Sequence, residues 1–409
     1  MFRLNELEKT TFKYHLIFSM LNGALNGGLV LQEIIVRKTL HSSNLIVTFV
    51  TMVWPVSNLF SIYWGEYIEG KKDRSNLFLI AGFFGRLSLI LTLFVKTGGN
   101  FLLLLLLVYS FNAFIIPVQN SIFQFNYREK VRGVLFGFSQ SVYSLSLLLT
   151  SLIFGKLLDY NEQLFRPLFV FIGILGFFAI LALKKIKVAA LPERKRRTKS
   201  NFLVKPIIVT LQEFRENKPF LLYEIAFFIY GIGYLSVLPI IPQFLVNKLK
   251  MTYTQISIGR VVIAQLGIAL LAPLSGFVQS LINPLVFSGF SFLILSFYPV
   301  LLAFSIFQGI MDPIKFVYIA FAVFSIGMAG VMITWTLGSI YFARGKDAAL
   351  HQSVHVTLTA FRGLIAPPLG YFLMTRFSDT VGFFNASLMF FVGAVIMFVT
   401  YWKYKNYER

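Results

Sequence analysis

The chain has 409 residues, of which 57% are hydrophobic and 13% are charged, and its mean hydropathy is +0.74. These values lie outside the range of soluble globular proteins and predict a polytopic helical membrane protein. The formal net charge of +20 is concentrated in alternate loops rather than on one continuous face. This distribution is typical of the positive-inside pattern of membrane proteins and argues against a nucleic-acid partner.

Apolar runs long enough to cross a bilayer occur about six times on each side of a polar segment that carries eleven Lys and Arg residues. We therefore predict an all-α polytopic protein of twelve transmembrane helices. It comprises an N-terminal six-helix bundle at residues 1–183, a basic linker at 184–218 and a C-terminal six-helix bundle at 219–409. The positive-inside rule places the linker and both termini in the cytoplasm, and we expect a bacterial inner membrane.

Polar residues interrupt the apolar runs of the first half. Asn22, Asn26 and Glu33 lie on the first span, at separations of four and seven residues that put them on one helical face. Arg86 lies about halfway across the third span, and Asn112 lies on the fourth. Side chains of this kind inside a membrane either line a cavity or bind one helix to another. We favour a position on the cavity wall for Asn26 and Glu33 and structural pairing for Arg86, and we leave both roles open for Asn22.

The second half begins with a span that carries Glu224, Tyr230 and Tyr234, followed by Arg260 on the eighth span and Trp335 on the tenth. Glu224 lies near the cytoplasmic end of its span, where it could either titrate during transport or be solvated. The aromatic residues suit the wall of a cavity, although aromatic residues at helical spacing also serve as packing.

Arg362 is the strongest candidate for a functional residue, since it lies about twelve residues into the eleventh span and therefore near the midplane. His351, His355 and Thr359 share its helical face. One interpretation makes Arg362 a ligand for an anionic or polar substrate group, with His355 titrating during the cycle. The other makes Arg362 the ion-pair partner of an acid in the other half. Because the two histidines have no evident third ligand and the chain has no Cys, we predict neither a metal site nor a disulfide.

The segment GEYIEGKKDR, residues 65–74, resembles the cytoplasmic signature of the major facilitator superfamily, a glycine followed by an acid and then basic residues. Glu69 stands where aspartate is usual in that signature. GIGYLSVLPIIPQFLV in the seventh span also resembles the superfamily's seventh helix, which is broken by glycine and ends in prolines. The resemblance implies two bundles around a midplane cavity that the first, fourth, seventh and tenth helices line. It further implies a charge lock that forms in one conformation and breaks in the other, assigned to Gly65, Glu69, Arg74 and Arg132.

We accordingly predict a secondary active transporter, not an enzyme, for a small organic or amphiphilic solute, with an anionic one favoured by three buried arginines. The chain has no phosphate-binding loop for ATP, so protons are the expected coupling ion, and we expect no cofactor and a monomer. The alternatives are a lipid or lysolipid translocator, an integral membrane enzyme, and a receptor that transports nothing. The candidate substrate-binding residues are Asn26, Glu33, Asn112, Tyr230, Tyr234, Trp335 and Arg362; the candidate proton-coupling residues are Glu33, Glu224 and His355.

Overall fold

A computed structural model describes residues 4–32, 35–42, 44–68, 75–187, 205–251, 255, 258–306, 312–344 and 347–405. Every regular element within these ranges is helical. Nine of the described helices are long and apolar enough to cross a membrane, and three further helical segments near the N-terminus complete an arrangement consistent with twelve spans. The predicted all-α polytopic fold is confirmed.

Within the described residues, the first half contains six helices, with a further helical turn at Ile35–Thr39 between the first two. They are α1 (Glu6–Leu29), α2 (Asn44–Ser57, then Asn58–Phe60 and Ser61–Ile68), α3 (Phe78–Phe94), α4 (Gly98–Asn126), α5 (Glu129–Tyr160) and α6 (Phe165–Lys184).

The second half has the same number of helices. They are α7 (Lys218–Val237, then Ile240–Gln243 and Phe244–Lys248), α8 (Ile258–Leu281), α9 (Pro284–Phe304), α10 (Pro313–Phe342), α11 (Ala349–Arg376) and α12 (Asp379–Tyr404).

Between the halves, within the basic segment, lies one more helix at Lys205–Glu216, here called the linker helix. We call the face of the molecule at which α6 ends and α7 begins the linker side. The positive-inside rule predicts that this face is the cytoplasmic one.

The first helix begins at Glu6, nine residues before the start that its apolar run predicts at His15. Its N-terminus is fixed by a capping box. The Asn5 side chain accepts from the Glu8 amide at 2.8 Å, and the Glu8 carboxylate accepts from the Asn5 amide at 2.9 Å. Both bonds satisfy amides that a helix end leaves free, so the polar first turns are helical although they lie before the apolar run.

Within each half the helices pack closely where glycines remove side-chain bulk. In the first half α1 lies against α5, and a Cβ on Gly27 would reach 2.5 Å from the backbone oxygen of Leu147. In the second half α7 lies against α11 and α12, and the backbone of Gly370 in α11 approaches Ser236 of α7 in a similar way. Small residues at such crossings allow van der Waals contact and backbone approach, which stabilise helix pairs in lipid.

The two halves are joined at the linker side by contacts between α4 and the ends of α10 and α11. The Asn120 side chain donates to the backbone carbonyl of Thr336, and the Ala348 amide donates to the Gln124 side chain at 2.9 Å. Ile340 of α10 is buried in the same apolar cluster as the α4 residues around it. These contacts close the interface on the linker side.

Two further helix pairs cross between the halves. In the α2–α11 pair, Gly65 lies against Ser353, whose side chain leaves no room for a Cβ on the glycine. In the α5–α8 pair, Gly133 and Gly137 face Gly276 and Pro273. Backbone meets backbone at the α5–α8 crossing, and Gly65 leaves room for the Ser353 side chain at the α2–α11 crossing. The linker-side closure therefore depends on glycine in both halves.

Candidate functional site

A cavity of about 370 Å³ lies between the two halves, between the linker-side contacts and the opposite face. This volume is in the range of small-molecule sites. Residues of α1, α2, α4, α5, α7, α10 and α11 line it. The polar and aromatic ones are His15, Phe18, Ser19, Asn22, Trp54, Gln119, Phe136, Ser139, Gln140, Tyr143, Tyr230, Tyr234, Trp335, Thr336, Thr359 and Arg362.

Arg362 brings a positive charge to the cavity wall although its side chain is 3% exposed. Its guanidinium donates to the backbone carbonyl of Phe227 in α7 and to the hydroxyl of Thr359 one turn earlier in α11. The Arg362 Nε makes no hydrogen bond within the described residues, and no carboxylate among them lies within ion-pair distance of it. This arrangement differs from the ion pair with the other half that one interpretation of the sequence proposed.

The position of the Arg362 side chain depends on a glycine of α7. Gly231 is directly beside the guanidinium, and a Cβ there would lie 2.6 Å from both Nε and Nη1 of Arg362. Only glycine leaves enough space for a side chain of this size to cross the face of α7. The sequence therefore places a large cationic side chain on α11 opposite a residue of α7 that has no side chain.

The C-terminal wall of the cavity is aromatic. Tyr230 stacks on Phe292 with ring centroids 4.4 Å apart, and Tyr234 lies parallel to Tyr230 at 6.1 Å. Trp335 of α10 meets the ring of His355 edge-on at 5.4 Å. Offset and edge-to-face aromatic contacts of this kind form a rigid apolar surface with few polar atoms.

The N-terminal wall carries a histidine that the sequence analysis did not select. His15 is 3% exposed and is packed between Phe123 and Phe136, with ring centroids 4.3 and 4.9 Å away. Its Nδ1 lies 3.4 Å from the hydroxyl of Tyr127. His15, Ser19 and Asn22 are spaced by four and three residues, so a search for a polar helical stripe that started earlier in α1 would have found them.

Glu224 and His355 form a buried pair next to the cavity. The His355 Nδ1 lies 3.0 Å from both carboxylate oxygens of Glu224, and the two side chains are 1% and 2% exposed. Glu224 is therefore not solvated, which was one of its two predicted environments. One turn along α11, the Nε2 of His351 lies 3.1 Å from Glu213 of the linker helix.

Other candidate residues lie away from the cavity lining. The Asn26 amide donates to the Asn22 carbonyl at 2.8 Å, one turn back in its own helix. Asn112 faces α3 near Gly85. Glu33 lies outside the described residues.

The predicted charge lock is described only in part, because Glu69 and Arg74 lie outside the described residues. Arg132 donates to the backbone carbonyls of Gln124 and Tyr127, at 2.9 and 3.0 Å, at the end of α4.

The three arginines expected to be buried differ in their surroundings. Arg86 is 3% exposed inside the first half, and its Nε and Nη1 make no hydrogen bond within the described part of the chain. Arg260 is exposed at the start of α8, so the expectation of three buried arginines is wrong. Arg260 lies close to the outer end of its helix, where a long side chain can reach the interface.

One ion pair fixes the linker side of the first half. Glu8 accepts from the Arg128 guanidinium in two bonds of 2.8 Å and from the Arg128 amide at 3.1 Å. Burial raises the pKa of the Glu8 carboxyl, but these bonds and the one from the Asn5 amide outweigh it and hold the pKa below its usual value. No group of three or more His, Asp or Glu residues in the described part of the chain is placed to hold a metal ion.

A cavity at the interface of two six-helix bundles is the arrangement in which secondary transporters hold their substrate site. Residues 14–344 match the profile of the Major Facilitator Superfamily. The chain belongs to this superfamily, and its members are transporters rather than enzymes.

Two solved proteins show the same fold over nearly their whole length. The structure is similar to the human organic anion transporter MFSD10 (TETRAN), with a TM-score of 0.75, 10% identity, and coverage of 95% of this chain and 99% of that one. It is also similar to the E. coli fucose:proton symporter FucP, with a TM-score of 0.66, 14% identity, and coverage of 96% and 98%. A second FucP structure, in the outward conformation, gives a TM-score of 0.69 at the same identity and coverage. A search of curated proteins finds no significant match.

Proposed function

We propose that the protein is a proton-coupled secondary transporter that moves a small organic anion through the central cavity. The observation that carries the proposal is the charge of the cavity wall. Its lining contains the Arg362 guanidinium and no Asp or Glu among the described residues. A buried cation with no carboxylate within ion-pair distance is an energetic cost that an anionic ligand would relieve.

The aromatic wall narrows the substrate class to an anion with an apolar body. Tyr230, Tyr234 and Trp335 present ring faces and edges, while the polar lining residues offer hydrogen bonds around the anionic group. Sites of this composition bind ligands by burying apolar surface and use a few polar groups for orientation. The resemblance of the fold to a human organic anion transporter is in keeping with this class.

Alternating access follows from the asymmetry of the contacts between the halves. The linker side is closed by α4, α10 and α11 and by the glycine crossings, whereas the cavity lies beyond these contacts. We propose that this is the conformation open to the side opposite the linker. Rocking of the two halves would then break the linker-side contacts and form equivalent ones on the other side.

Proton coupling is assigned to Glu224 and His355. His355 lies about two turns before Arg362 on the same face of α11. Glu224 of α7 is buried against His355 and also interacts electrostatically with Arg362. A proton on this pair removes negative charge near Arg362 and so strengthens its attraction for an anion. Substrate and proton binding would thereby favour each other, as symport requires.

The assay is uptake by proteoliposomes under an imposed pH gradient, with separate labelled pools of organic anions, organic cations, sugars and lysolipids. We expect wild type to accumulate members of the anion pool and Arg362→Ala to lose at least 90% of the rate. The matched control is Arg376→Ala, which removes an exposed cation from the other end of the same helix. Glu224→Gln is expected to abolish accumulation against a gradient while it retains exchange at equal pH.

Several outcomes would refute the proposal. Uptake of cations or sugars alone would show that the charge of the wall does not select the substrate. Movement of lysolipid between leaflets without proton flux would favour the lipid translocator. Equal loss in both arginine variants would mean that Arg362 acts through general stability rather than through binding.

The remaining assignments are proposals of the same kind. We propose domain boundaries at 183/184 and 218/219, a monomer with both termini in the cytoplasm, and a bacterial inner membrane. Single-cysteine labelling can test the topology directly, since the chain has no native Cys.

A further inference from the structure

A second carboxylate–histidine pair lies between the proposed coupling site and the linker side. His351 precedes His355 by one helical turn, and its Nε2 is 3.1 Å from an oxygen of Glu213. The pair joins α11 to the linker helix, an element that transport by the two bundles does not itself require. His351 is 3% exposed at its side chain and Glu213 is 14% exposed, so the pair extends from the protein interior toward solvent.

The two pairs use opposite ring nitrogens. His351 places Nε2 on Glu213, while His355 places Nδ1 on Glu224. The second nitrogen of each ring, Nδ1 of His351 and Nε2 of His355, is buried and has no hydrogen-bond partner within the described residues. Each imidazole therefore has one nitrogen on a carboxylate and one that is able to take up or release a proton.

The helical spacing places His351 and His355 on the same face of α11. Residues four apart on a helix have Cβ atoms about 5–6 Å apart, a separation that the rings or one water molecule can bridge. The rings are enclosed by aromatic side chains: Phe220 packs on His351 at 4.8 Å, and Phe227 packs on His355 at 4.8 Å. These contacts shield both imidazoles on the side that faces α7.

We propose that Glu213 and His351 form the linker-side end of a proton relay whose inner end is the Glu224–His355 pair. A proton taken from solvent by Glu213 passes to Nε2 of His351, and the ring releases a different proton from Nδ1 to Nε2 of His355. His355 then gives its Nδ1 proton to Glu224. One proton moves inward, the Glu213 carboxylate is restored, and both rings exchange tautomers, so no other reactant is needed.

The relay rests on the proposed function, and it adds a role for the linker helix. In this proposal, the Glu224–His355 pair exchanges protons with the linker-side compartment through the relay. The relay stays intact when the cavity is closed on that side. Among the described residues, the other ionisable groups beside the path are Tyr223, next to His355 on α7, and Arg362, about two turns beyond His355 on α11. Neither lies between the two histidines. The Asn217 side-chain amide also donates to Glu213, at 3.1 Å.

The test measures ring proton exchange rather than transport, and it uses the full chain labelled with ¹⁵N-histidine in lipid nanodiscs. The chain has four histidines, so the ring signals can be assigned by single substitutions. We expect Glu213→Gln to slow exchange of the His355 ring proton with water at least tenfold, although the two residues are not in contact. Glu213→Asp, which keeps a carboxylate, is expected to stay within threefold of wild type.

Two matched variants complete the experiment. His351→Gln is expected to slow exchange at His355 as strongly as Glu213→Gln does. Glu216→Gln, which changes an exposed acid on the same linker helix, is expected to leave it unchanged. Unchanged His355 exchange in Glu213→Gln or in His351→Gln would overturn the relay, and so would equal slowing in Glu216→Gln.

A transport experiment distinguishes failure of the relay from failure of the proposed function. With whichever anion pool wild type accumulates, Glu213→Gln is expected to lower accumulation driven by a pH gradient at least fivefold and to keep exchange at equal pH. If wild type accumulates anions and Glu213→Gln does so equally well, the relay is wrong while the transporter stands. If wild type moves no anion, the proposed function fails, and the ring exchange data still decide whether protons reach His355 through Glu213.

Discussion

Gly137→Ala should shift the protein away from the linker-side-closed conformation. A Cβ on Gly137 of α5 would lie 2.7 Å from Cα of Pro273 and 2.9 Å from the carbonyl carbon of Ala272, both backbone atoms of α8 in the other half. Ordinary contact begins at 3.4 Å, so the two helices must separate by several tenths of an ångström. Overpacking of this kind costs about 1–3 kcal/mol. The ratio of closed to open molecules should therefore fall by a factor of roughly 5–150.

The assay is the labelling rate of a single cysteine at the α2–α11 crossing. Ser353→Cys places a thiol at a fully buried position beside Gly65, and the native chain has no competing cysteine. With an impermeant maleimide added from the linker side, Gly137→Ala should raise the labelling rate by the same factor as the population shift. Because the reporter is on a different helix pair from the substitution, a faster rate requires movement of the halves.

Gly155→Ala is the matched control. It changes the same residue type on the same helix, but no atom lies within 4 Å of the added Cβ. Alanine is the better helix former by about 1 kcal/mol, so this variant should fold at least as well as wild type. An unchanged labelling rate in Gly137→Ala, or an equal increase in Gly155→Ala, would refute the reasoning.

Three further predictions concern the cavity and the linker-side ion pair. Gly231→Ala keeps the charge of Arg362 but displaces its guanidinium, and we expect anion affinity to fall about tenfold or more, measured by concentration-dependent uptake. Trp335→Ala should raise the KM for aromatic anions about two- to tenfold and change that for aliphatic anions little, since each stacked ring contributes about 0.5–1.5 kcal/mol beyond its buried area. The carboxyl of Glu8 has a lowered pKa in the fold, so the stability from its pair with Arg128 is present above about pH 4.5 and is lost as the pH falls through the lowered value. Thermal unfolding between pH 3 and 7 should therefore show a fall in Tm on acidification that is smaller in Glu8→Gln.

The sequence predicts the architecture well because hydrophobic length and loop charge are local properties. Apolar runs and the basic linker were sufficient for the two-bundle fold. The start of α1 was placed too late because its first turns are polar and depend on the Asn5–Glu8 capping box rather than on hydrophobicity. The linker helix was missed for the same reason, since its segment was interpreted only by its charge.

Side-chain partners were harder to predict, because they depend on which helices are neighbours. Helical spacing put His355 and Arg362 on one face, but it could not show that Glu224 of α7 would meet His355. Likewise, Asn26 lies four residues after Asn22, a spacing that fits a polar stripe facing a cavity. Its side-chain amide nevertheless donates to the Asn22 carbonyl of its own helix. The role of Gly231 depends entirely on the side chain opposite it and has no signal in the local sequence.

Alternating access is the central claim, and a single cysteine in the cavity tests it most directly. Ser19→Cys places a thiol on the cavity wall in a chain without other cysteines. In membrane vesicles of known orientation, an impermeant maleimide should label it at least tenfold faster from the side opposite the linker, and Gly137→Ala should reverse or abolish that preference. Equal labelling from both sides in wild type, or a preference that Gly137→Ala leaves unchanged, would contradict the account.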